Sequence, residues 1–110
     1  GANVVFAHEL GHVWDINSSF AASYLMNLDL GGSGVCLFCA PGNGVPKWGP
    51  SYHPHGGDAY GNSGRNEYFP EAFAAAIYNR GARGVVSSAV AWIDSNISVP
   101  LYFNPWTGQR

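Results

Sequence analysis

The chain has 110 residues, room for one domain with a single modest core. Charged residues make up only 11% against 46% hydrophobic, the formal net charge is −2, and Lys47, Arg65, Arg80, Arg83 and Arg110 are scattered instead of forming a stripe. This excludes the basic footprint of a nucleic-acid binder, and no apolar run reaches the roughly 18 residues that a membrane-spanning helix needs.

Low charge with abundant glycine and aromatic residues points to a secreted or extracellular protein. The N-terminus lacks the charged-then-apolar layout of a signal peptide. Opening on Gly1-Ala2-Asn3 and closing on Thr107-Gly108-Gln109-Arg110, residues 1–110 read as one core cut from a larger catalytic domain.

From Val4 to Trp14 the residues are mostly apolar, interrupted by His8, Glu9 and His12, with Asn3 as N-cap and Asp15-Ile16-Asn17 as the stop. This predicts a buried helix carrying a polar stripe. Ser18 or Ser19 caps a second short helix over Phe20 to Leu28, which Gly31-Gly32 ends.

The segment from Gly31 to Arg65 is rich in glycine and proline and holds Trp48, Tyr52 and Tyr60, a composition of irregular loop. Helical composition returns from Glu67 to Asn79, with Pro70 expected in the first turn and Gly81 at the C-terminal end. A last helix is expected from about Ala82 to Asn96, with Val86, Val90, Ile93 and Ile97 along one face. Val99 to Trp106 is a proline-punctuated tail.

His8-Glu9-Leu10-Gly11-His12 is an HExxH motif. Helical residues four apart lie one turn above each other, so both imidazoles face the same way and can bind one Zn²⁺. Glu9, about 100° round the helix from His8, stands near the metal without ligating it and can take a proton from bound water. Gly11 leaves room for a close neighbour.

A catalytic zinc needs a third protein ligand and keeps a position open for water. Glu67 is the leading candidate, one turn before Glu71 on the next well-formed helix. Glu71 would then accept the free N–H of a liganding histidine and fix its tautomer. The competing reading makes both acids solvated residues favoured by the helix dipole, and Asp58 is an alternative third ligand.

HELGH followed by Tyr60-Gly61-Asn62-Ser63-Gly64-Arg65-Asn66-Glu67-Tyr68-Phe69-Pro70-Glu71-Ala72-Phe73 resembles the gluzincin metallopeptidases, most closely the catalytic domain of anthrax lethal factor and its relatives. The resemblance rests on two short blocks. It implies that Glu67, the first Glu of the second block, is the third zinc ligand, and that Tyr60, seven residues earlier, faces the metal and stabilises the oxyanion or leaving group. In gluzincins an upstream sheet aligns substrate on its edge strand; no counterpart precedes His8.

Tyr52 is a second candidate for the hydrogen bond to the oxyanion. Cys36-Leu37-Phe38-Cys39 has the spacing of a tight disulfide, a redox pair or half of a second zinc site, which His53-Pro54-His55 would complete. Without a strand–helix context redox chemistry is disfavoured, and a disulfide is preferred to a second zinc. Trp14, Trp48, Trp92 and Trp106 read as core residues, with Trp48 as an alternative groove residue. Asn17-Ser18-Ser19 and Asn96-Ile97-Ser98 match the N-glycosylation sequon.

The sequence thus predicts a mainly α, zincin-like core, with α+β and a small sheet as the alternative, holding one catalytic Zn²⁺ and hydrolysing a peptide or protein substrate. The rivals are a zinc-stabilised binding module without catalysis and a fragment inactive without its upstream sheet.

Overall fold

The computed structural model describes residues 2–33, 36–49 and 60–97. Four helices carry the described fold: α1 (Ala2–Asn17), α2 (Ala21–Asp29), α3 (Arg65–Tyr78) and α4 (Ser87–Asn96). The protein is mainly α, and no strand occurs among the described residues. No helix among them is long and apolar enough to cross a membrane.

Small residues set how closely the helices approach. α1 packs chiefly on α3, and a Cβ added to Gly11 would lie 2.8 Å from the Pro70 Cα and 3.0 Å from the Phe73 Cβ. α3 is buried from Tyr68 to Ala76, and its alanines let α1, α2 and α4 pack around it. Phe69, fully buried, stacks edge-on against Trp92 of α4, and Trp14 of α1 meets Phe73. Trp48 is buried in this core against Tyr68, so the alternative that it lines a groove is corrected.

The turn between α1 and α2 is built from polar contacts. Ser19 and Phe20 adopt left-handed φ values of 57° and 65°, unusual for non-glycine residues. Asp15 Oδ1 accepts the Ser23 N–H at 2.9 Å and Ser18 Oγ accepts the Ala22 N–H at 3.1 Å, satisfying donors at the start of α2. Arg65 reaches across from α3 to the Phe20 carbonyl and the Ser23 hydroxyl. The N-cap of α2 is Phe20, not Ser18 or Ser19 as expected, although the Ser18 hydroxyl accepts an N–H of its first turn from the preceding turn.

Several expectations are corrected. α1 starts at Ala2, so Asn3 lies inside the helix instead of capping it. Nor is α1 buried all round: Phe6 is 63% exposed and Val13 50%, because only the side holding Ala7, Gly11 and Asp15 is covered. An apolar groove of about 510 Å³, lined by Leu10, Val13, Trp14, Phe73 and Ile77 among others, runs along the side away from His8 and His12. Among the described residues that line it none is titratable.

α3 starts at Arg65, which puts Pro70 in the second turn instead of the first. Its missing N–H leaves the Asn66 carbonyl without an i+4 donor, and its Cα meets Gly11. α4 begins at Ser87, not Ala82: Gly84 turns at φ 88° and its carbonyl accepts the Gly49 N–H, which holds this segment as a turn against the loop. Val86, Val90, Ile93 and Ile97 all enter the core as the periodicity predicts. The Val99 to Trp106 tail lies outside the described residues.

Replacing a helical glycine by alanine ordinarily stabilises a helix by about 1 kcal/mol. At Gly11 the sign reverses, because the new methyl meets the α3 backbone. We expect Gly11→Ala to lower stability by about 1–3 kcal/mol, read as a reduced denaturant midpoint with unchanged slope.

Candidate metal centre

α1 brings His8 and His12 onto one face, with their Nε2 atoms 3.2 Å apart. Glu67, in the first turn of α3, straddles the pair: Oε2 lies 3.1 Å from His8 Nε2 and Oε1 3.2 Å from His12 Nε2. His8 is completely buried, while the side chains of His12 and Glu67 are 24% and 15% exposed, so the cluster opens to solvent on one side. These residues form a donor set able to hold a metal ion.

Behind this cluster His8 Nδ1 faces Glu71 Oε1 at 3.2 Å, with both side chains fully buried. A proton on Nδ1, facing that carboxylate, would leave the Nε2 lone pair pointing at Glu67 and His12. Lone pairs and a carboxylate converging in a largely buried space repel one another unless a proton or a cation sits among them. Burial is the largest single influence on His8 and pulls its pKa down. The hydrogen bond to Glu71 and the charges of Glu71, Glu67 and Glu9 together outweigh it and hold the imidazole above its ordinary 6.5.

Tyr60 and Gly61 are helical in conformation. The Asn62 amide pins this segment by pairing with Trp48, accepting its N–H at 2.9 Å and donating to its carbonyl at 3.1 Å. Gly61 allows the close approach, since a Cβ there would lie 2.8 Å from the Trp48 ring and 3.0 Å from Glu71 Cγ. The Tyr60 ring thereby stands 5.7 Å from that of His8, and its hydroxyl hydrogen-bonds Glu67. Burial first, then the charge and hydrogen bond of Glu67 and the charges of Glu9 and Glu71, push the phenol up to about 12, so it remains a proton donor at neutral pH. Glu9, exposed beside His8, is close enough for its charge to act on both His8 and Tyr60.

The structure thus gathers His8, His12, Glu67, Glu71, Glu9 and Tyr60 in one place. Cys36 and Cys39 are joined in a disulfide and are therefore unavailable as ligands of a second zinc. Tyr52, His53, His55 and Asp58 lie outside the described residues. Sequence reasoning missed Leu37, whose backbone carbonyl accepts the Asn66 N–H next to Glu67; a main-chain contact leaves no side-chain signature. It also missed Asp15 and Arg65, whose hydrogen bonds assemble the turn after His12.

No family model matches the chain, and no curated protein or solved structure matches it either.

Because the folded pKa of His8 is raised, its protonation in metal-free protein contributes stability that is fully present below 6.5 and lost as pH rises through the higher folded value. Glu71→Gln removes the leading upward influence and leaves the downward pull of burial. NMR titration of the His8 imidazole in metal-free protein should show a lower pKa in Glu71→Gln than in the wild type; an unchanged value would show that Glu71 does not govern His8.

Proposed function

We propose that the protein is a zinc-dependent metallopeptidase of gluzincin type, with His8, His12 and Glu67 as metal ligands. The observation that carries this reading is the spacing of the three donors. Zinc bonds of about 2.0–2.1 Å in tetrahedral geometry separate neighbouring ligand atoms by about 3.3 Å. The two Nε2 atoms stand 3.2 Å apart, each has a different Glu67 oxygen 3.1–3.2 Å away, and one ligand atom from each of the three residues lies within 4.8 Å of the others. Two imidazoles and one carboxylate make a typical catalytic set, which leaves a fourth position open on the solvent side.

Zinc bound there would lower the pKa of a bound water and polarise a carbonyl. Glu9, exposed and adjacent, would take the proton of the attacking water and pass it to the leaving amine. Tyr60 would donate its hydroxyl hydrogen bond to the oxyanion as the carbonyl carbon becomes tetrahedral. Glu71 would keep His8 in the tautomer that presents Nε2. The Cys36–Cys39 disulfide supports an extracellular setting, since such bonds persist in oxidising compartments. A peptide or protein would be the substrate.

Metal content by mass spectrometry, paired with hydrolysis of a denatured protein, tests the reading. Wild type should hold one zinc, Glu67→Ala should lose most of it, and Glu9→Gln should keep it while activity falls by about 10²–10⁴. Zinc-free wild type, or full zinc in Glu67→Ala, would defeat the ligand assignment. Zinc without hydrolysis would assign the same ligands to a binding module or an incomplete catalytic unit. Tyr60→Phe should retain the metal and lower kcat about 10²–10³-fold with little change in KM.

A further inference from the structure

The Cys36–Cys39 disulfide closes a four-residue ring that contributes little to the core: Cys36 and Cys39 are exposed, Phe38 is 74% exposed and only Leu37 is partly covered. Closing so short a loop also removes little chain entropy compared with a long one. The ring does, however, touch the helix that carries Glu67. Leu37 O accepts the Asn66 N–H at 3.2 Å. At Gly64 a Cβ would lie 2.7 Å from Asn66 Oδ1, 3.1 Å from the Phe38 carbonyl carbon and 3.3 Å from Leu37 O.

Asn66 is the second residue of α3 and Glu67 the third. The first N–H groups of a helix have no partner within it, and without an external acceptor the first turn frays. Gly64, which precedes α3, offers no side-chain cap. The acceptor for Asn66 is instead a backbone carbonyl held in place by a covalent ring. Fraying of this turn would swing the Glu67 carboxylate away from two imidazoles that α1 fixes independently.

We propose that the disulfide-closed ring is a positioning element for Glu67, and that metal affinity depends on it through the Leu37 carbonyl. This rests on the reading of Glu67 as a metal ligand. It gives the CxxC pair a task at the metal site without making either sulfur a ligand.

The test is zinc affinity, measured by competition with a chromophoric chelator on folded protein checked by circular dichroism. Cys36→Ser/Cys39→Ser opens the ring; Gly64→Ala keeps the disulfide but crowds the contact between ring and α3, its methyl meeting the Phe38 and Leu37 main chain and the Asn66 amide oxygen. Both should bind zinc about 10–100-fold more weakly than the wild type, the range typical of lost supporting contacts around a metal. If the double serine variant does not fold, Gly64→Ala decides.

Each change is then repeated in a Glu67→Ala background, where the two-histidine site is titrated through the His8 and His12 imidazole NMR signals, which report weak binding. Positioning through Glu67 predicts no further loss there. Unchanged affinity in Gly64→Ala, or an equal loss with and without Glu67, would overturn the proposal while leaving the ligand set intact. Wild type that binds no zinc would overturn both.

Discussion

The contact on which the site depends is the close approach of α1 to α3 at Gly11. With no side chain at that position, the Pro70 and Phe73 backbone and Cβ atoms lie where a methyl group would otherwise stand. The residues on either side of Gly11 along α1 are drawn in with it: His8 is fully buried against Glu71, and His12 meets Glu67. Helical geometry contributes the rest, because residues four apart recur on one face of each helix. Two pairs with that spacing, His8 with His12 and Glu67 with Glu71, therefore confront each other across a single helix–helix seam.

Two kinds of force meet at that seam. Hydrophobic burial around Phe69, Phe73 and Trp92 holds α3 in the middle of the molecule, and the alanines of α3 let its neighbours come near. The same burial strips water from His8 and Glu71, which is costly unless each finds a partner of opposite character. The resulting cluster of nitrogen lone pairs and carboxylates draws a proton or cation inward. In the proposed metallopeptidase this electrostatic demand and the metal site are one property, and Glu71 orients His8 while taking no part in ligation.

The periphery of the site is held by main-chain contacts. Asn62 fastens Tyr60 to the backbone of Trp48, and the carbonyl of Leu37 receives the N–H before Glu67. Both come from described residues between α2 and α3, where glycine allows tight approaches such as that of Gly61 to Trp48 and Glu71. A loop of this composition can place groups from several directions around a site that two helices alone would leave open.

The sequence by itself determined the mainly α character, the segments that form α1 to α4 and the side chains able to bind metal. These features are local: spacing along a helix fixes which residues share a face, so the HExxH pattern and the Glu67–Glu71 pair were legible without coordinates. The buried face of α4, from Val86 through Ile97, was legible for the same reason. Only the tertiary structure decided which faces meet. The exposure of Phe6 and Val13, the start of α4 at Ser87 and the second-turn position of Pro70 follow from packing and backbone turns that side-chain periodicity does not encode. The His8–Glu67 contact joins residues 59 positions apart, and its 3.1 Å distance arises from the depth to which α1 and α3 interpenetrate at a glycine. Distances of that kind belong to the packed chain, because each reflects the sum of many contacts and no single residue's preference.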